Sequence, residues 1–155
     1  AGWFLAGDQP QDYRIGTDTG VLHNGKASGY LRADRESPSG FGTLMQMVQA
    51  RSYPDTRVRI SGWAKADGVE DWAGLWMRVD GPDTRKTGKS LSFDNMANWP
   101  IKGTSDWVRY EIVLDVPPES LEIAFGILLQ GTGEVWLDDV QFVKVGSVVP
   151  TTNRI

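Results

Sequence analysis

From Leu121 to Leu129 every second residue is large and apolar (Leu121, Ile123, Phe125, Ile127, Leu129), while no stretch of the chain carries the 3.6-residue period of an amphipathic helix. Strand side chains alternate between two faces, so a two-residue period predicts a sheet with one face buried. Comparable runs rich in Val, Ile, Trp and Phe occur near residues 11–16, 27–33, 42–49, 57–65, 73–80, 90–93, 107–115, 121–130 and 133–143. Turn chemistry separates them: Asn24-Gly25, Tyr53-Pro54-Asp55, Val116-Pro117-Pro118 and Gly131-Thr132-Gly133. So many short strands in 155 residues predict an all-β chain, a jelly-roll β-sandwich of two antiparallel sheets. One domain is expected over residues 1–146, with 147–155 as a C-terminal tail.

Composition removes several chemistries. There is no cysteine, hence no disulfide, thiolate metal site or cysteine nucleophile, and the one histidine, His23, rules out a three-histidine zinc site. The net charge is −4 and the pI about 4.9, with Lys and Arg scattered, which argues against a nucleic-acid partner. No apolar run approaches the roughly 20 residues that span a bilayer, so no membrane partner is expected. No signal peptide is read in the chain, and the compartment is left open.

Seven tryptophans then need a place. In the run 57–65, Val58, Ile60 and Ala64 form the apolar face, which puts Trp63 on the other face with Arg59, Ser61 and Lys65. In the run 73–80, Ala73, Leu75, Met77 and Val79 face the core, and Trp76 falls beside Arg78 and Asp80. Behind the core face of 121–129 lie Ala124 and Gly126, small enough to leave room above the sheet, and Trp136 alternates with Val135 and Leu137. The expected site is one concave face carrying Trp63, Trp76 and Trp136 as stacking platforms, ringed by Arg78, Gln46, Gln130 and Asn95. Flat apolar walls with a few polar groups suit a saccharide, whose C–H faces stack on rings while its hydroxyls take hydrogen bonds. The competing expectation is that loops cover these rings and complete a second core. Trp3, Trp72, Trp99 and Trp107 fall at segment ends, where packing or rim roles are expected.

Gly25-Lys26-Ala27-Ser28, Val58 to Lys65, Thr104 to Tyr110 and Val135-Trp136-Leu137-Asp138-Asp139-Val140 resemble the strands of a jelly-roll carbohydrate-binding module. Ala73 to Asp80 followed by Phe93-Asp94-Asn95-Met96 is similar to uncharacterised bacterial domains of this fold, some fused to helix-turn-helix regulators. The resemblance implies non-catalytic binding of a small ligand, most naturally a saccharide, or a ligand-sensing role in a regulator. It also implies a structural calcium near the chain ends, held by Asp138 or Asp139 on the closing side and the turn at Gly25 on the opening side. The family's opening acidic residue has no counterpart in Ala1 to Leu5. Asp138-Asp139 would otherwise be a bulge turning the last strand, one carboxylate accepting from backbone amides.

An enzymatic reading stays open. Some bacterial cyclases resemble these modules, and a cyclase- or isomerase-like reaction in the same groove would use Asp94 or Glu111 as its acid or base. Asp94 serves equally as the carboxylate of an Asx turn. His23, beside Asn24-Gly25, is expected to be a solvated turn residue. An exposed aromatic sheet face would also suit a homodimer contact or an oligomerisation module.

Overall fold

The computed structural model describes residues 2–152. The expected strands form, and one of them organises the rest. β5 (Thr56–Asp80) runs through both runs read as separate strands, 57–65 and 73–80. Its first part lies between β7 (Ile101–Val116) and β9 (Glu134–Val145), and its last part lies between β8 (Glu122–Gln130) and β6 (Ser92–Asp94). β5 thus belongs to two antiparallel sheets: β1 (Phe4–Gly7), β4 (Phe41–Gln49), β8, β5 and β6 in one, and β2 (Tyr13–Asp18), β3 (Ser28–Ala33), β9, β5 and β7 in the other. The sandwich is a jelly roll, as the alternation predicts.

The polar stretch Asp67-Gly68-Val69-Glu70-Asp71 bends β5 without ending it. Ala66 and Val69 stay buried, the pairing with β7 shifts register on either side of them, and Gly68 takes φ +63. Bulges of this kind let a strand turn from one sheet into the other. β1 escapes sequence reading because it is a four-residue edge strand pairing only with β4. Among the described residues the one α-helical turn, α1 (Thr84–Thr87), sits in the loop between β5 and β6.

Between the sheets lies one apolar core. Leu31, Ile60, Ile112 and Leu114 from one sheet meet Leu75, Met77, Ile123, Ile127 and Leu129 from the other, all with under 2% of their surface exposed. Each such side chain contributes about 1.5–3 kcal/mol on burial. The expected tail is tied to the body of the fold. Arg57 Nη1 donates to the carbonyls of Ser147 (3.0 Å) and Val149 (2.6 Å), and Thr152 N–H donates to Val113 O at 2.8 Å along the edge of β7. Ala1 and the tail residues 153–155 lie outside the described residues.

Candidate functional site

Alternation on β4 puts Phe41, Thr43 and Met45 on the outer face of their sheet, and the register sets Trp76 and Met45 on either side of Gly126. Glycine is required there, because a Cβ would run into the Leu44 carbonyl and Met45 Cα of β4. With β8 drawn in and small at Ala124 and Gly126, Trp76 lies across it. Its Nε1–H donates to Thr43 Oγ1 at 2.8 Å, and that hydroxyl donates to Ile127 O at 2.8 Å. Trp76, Met45, Leu128 and Ala124 form a small second apolar cluster, with Ala6, Phe41 and Trp72 against it. Above the cluster is a groove of about 410 Å³ lined by Ala6, Gly7, Phe41, Thr43, Met45, Trp76, Arg78, Phe93, Asn95 and Leu128.

Its polar groups stand on one side. The Arg78 guanidinium lies 5.9 Å from the Trp76 ring centroid, held by Asp80, whose two carboxylate oxygens accept from Arg78 Nε at 3.0 Å each. Both bonds use Nε, which leaves the terminal nitrogens available to a ligand. Asn95 Oδ1 accepts from Ala97 N–H at 3.1 Å, which fixes the amide at the groove mouth.

The structure divides the expected site. Trp76, Arg78 and Asn95 share the groove, over the expected floor of Ala124 and Gly126. Gln130 lies on the same face beyond the groove and donates to Asp71 at 2.9 Å. Trp63 and Trp136 do not join them, because β5 has crossed into the other sheet by Trp63 and Trp136 pairs with Lys65 there. On that outer face Trp136 is buried and donates to Asp18 Oδ2 at 3.1 Å. The Gly20 N–H and this indole N–H hold the Asp18 carboxyl below the usual range. Trp63 is covered by the 19–27 loop, its ring stacked on His23 at 4.0 Å between centroids. His23 is therefore no free turn residue, since its Nδ1 also meets Asp139 Oδ2 at 2.6 Å. Gln46 falls on the inner face, opposite Phe125 and next to Gly2. Trp63 thus lies under His23, Trp136 is buried against Asp18, and even Trp76 is only 7% exposed. It is a strut under the groove. The half-buried rings on the groove wall are Phe41 and Phe93, which sequence reading missed. The register gives both: Phe41 shares parity with Met45, and Phe93 pairs with Arg78.

The candidate acids are elsewhere. Asp94 Oδ1 accepts from Met96 N–H at 3.1 Å, an Asx turn that carries Met96 to φ +61. Glu111 lies on the other sheet, ion-paired to Arg109 (2.9 Å) and near Arg59 (3.8 Å). No carboxylate lines the groove among the described residues.

The calcium expectation also meets the geometry. Asp138 Oδ2 accepts from the amides of His23 (3.1 Å) and Asn24 (3.0 Å), and Oδ1 from that of Asp139 (2.8 Å). The pairing of β5 with β9 shifts register here, and Asp139 takes φ +51, so the pair is the bulge that turns β9. Gly25, at φ +73, donates its N–H to Asn24 Oδ1. Calcium needs six to eight oxygens. These carboxylates already face N–H donors, and no three of His, Cys, Asp and Glu are grouped to hold a metal among the described residues. As placed, the Asp138 carboxylate serves backbone amides of the bulge and the 19–27 loop.

Fold and groove together define a domain with the jelly-roll fold of carbohydrate-binding modules. Among solved structures it is similar to the CBM22-1 xylan-binding domain of Paenibacillus barcinonensis Xyn10C (TM-score 0.63, 18% identity, 94% of this chain and 87% of that one). It is similar also to the enzymatically active domain of tailspike protein 4 of bacteriophage CBA120 (TM-score 0.70, 14% identity, 94% of this chain and 20% of that one). In sequence it is 46% identical over 153 residues to an uncharacterised HTH-type transcriptional regulator, YbfP, of Bacillus subtilis (strain 168), covering 98% of this chain and 50% of that protein. The chain thus spans about half the length of the curated relative it matches. No family model matches it.

Proposed function

We propose that this domain binds a small saccharide-type ligand in the groove above Trp76, without chemical turnover, as the ligand-sensing part of a helix-turn-helix regulator. One observation carries the binding reading: a preformed groove of about 410 Å³ whose floor is locked by the Trp76–Thr43 bond, with Arg78 and Asn95 at its side. A locked floor costs no ordering on binding, and its volume lies in the range of small-molecule sites. Two likenesses support the rest. The fold is that of a xylan-binding domain, and the sequence relative is named a transcriptional regulator.

The test is calorimetric titration with a panel of mono- and oligosaccharides. Arg78→Ala and Asn95→Ala should each weaken the bound sugar about tenfold, as expected for a lost hydrogen bond worth about 1.4 kcal/mol. Trp63→Ala should leave affinity unchanged. No binding across the panel sinks the reading.

A further inference from the structure

The polar atoms of the groove are unevenly shared. On the floor, Trp76 Nε1–H and the Thr43 hydroxyl satisfy each other and Ile127 O, so neither is offered to a ligand. Asn95 has its oxygen on Ala97 N–H and presents its NH2. Arg78 can only donate. Among the lining side chains, the polar groups left for a ligand are the Arg78 guanidinium and the Asn95 amide, mostly donors and all from the β5–β6 side, while the β1–β4–β8 side offers Ala6, Phe41, Met45 and Leu128. A bare sugar ring brings a hydroxyl hydrogen with nearly every oxygen. Hydroxyls turned edge-on to the second wall would lose water and meet no side-chain acceptor there.

From this we infer that the ligand is a glycoside bearing a compact apolar substituent. The substituent lies against Phe41, Met45 and Leu128, and the acceptor oxygens point to Arg78 and Asn95. The inference rests on the saccharide reading above and narrows it.

Calorimetry with phenyl and methyl β-glycosides of glucose, galactose and xylose tests it, with phenol as a third probe. At least one phenyl glycoside should bind ten-fold or more tighter than its methyl counterpart. That advantage should fall below three-fold in Phe41→Ala, with Met45→Gln as a second variant if the first fails to fold. Equal affinity for phenyl and methyl glycosides overturns the apolar substituent and leaves saccharide binding standing. Phenol binding as tightly as every phenyl glycoside overturns the saccharide reading and this inference with it. Absence of binding by all of these probes overturns both.

Discussion

Trp76 on β5 spans β8 to reach Thr43 on β4, an indole-to-hydroxyl bond of 2.8 Å between two buried side chains in strands that are not neighbours. The same hydroxyl donates to Ile127 O on the strand between, so one oxygen ties three strands on the outer face. Thr43→Val keeps the shape and removes both bonds, leaving a buried N–H and one lone pair of the Ile127 carbonyl without a partner. The expected loss is about 2 kcal/mol, or about 4–8 °C in melting temperature, and Thr43→Ser should restore most of it. Thermal unfolding followed by circular dichroism decides this. A Thr43→Val protein as stable as the parent would show the bond to be incidental.

Which of these relationships could be read beforehand follows from what alternation encodes. Parity along one strand is local, so the inner faces of β5 and β8, the outward turn of Trp76 beside Arg78, and the Ala124–Gly126 floor all follow from it. Which sheet a residue belongs to is not local. Trp63 and Trp76 share the same outward sense on β5, but the bend at 66–72 lies between them and sends them to opposite sides of the sandwich. Gln46 shares the inward parity of the buried Leu44 on β4, so its place on the inner face is encoded by that strand's alternation. The stacking of His23 on Trp63 depends on a loop contact over more than a hundred residues to Asp138, beyond any periodic signal.

That loop contact gives a second expectation. Asp138 accepts from the backbone of His23, Asn24 and Asp139, and so holds the 19–27 loop down on Trp63. Asp138→Ala should release the loop, expose the Trp63 ring to water and shift tryptophan emission to the red. The cost should be about 1–2 kcal/mol, because the freed amides can be resolvated. With the carboxylate engaged by amides, the parent protein should melt at the same temperature in calcium and in chelator. A calcium-dependent rise that vanishes in Asp138→Ala would reverse that conclusion.

The pH dependence of stability should carry two opposite signatures on the outer face of the second sheet. Burial pushes the Glu134 carboxyl above its usual range, Arg32 working against this and Asp18 and Asp67 with it. A raised folded-state pKa means the folded protein holds this proton more tightly than the unfolded chain does. Its stabilisation is complete below the ordinary glutamate value, about pH 4.3, and is lost as pH rises through the folded value. At pH 7 the ionised group is then a net cost, so Glu134→Gln should raise the melting temperature by about 1–2 °C at pH 7 and leave it unchanged near pH 4. Asp18 behaves in the reverse sense. Its carboxyl is held low by the Gly20 amide and the Trp136 indole, so its stabilisation is present above the ordinary aspartate value and is lost as pH falls through the lower folded one. Asp18→Asn should therefore lower the melting temperature at pH 7, and the gap to the parent should narrow as the pH falls below the ordinary aspartate value, about 3.9. Melting curves at pH 7, 4 and 2.5 separate the two, and a Glu134→Gln protein less stable than the parent at pH 7 would show the Arg32 contact outweighing burial.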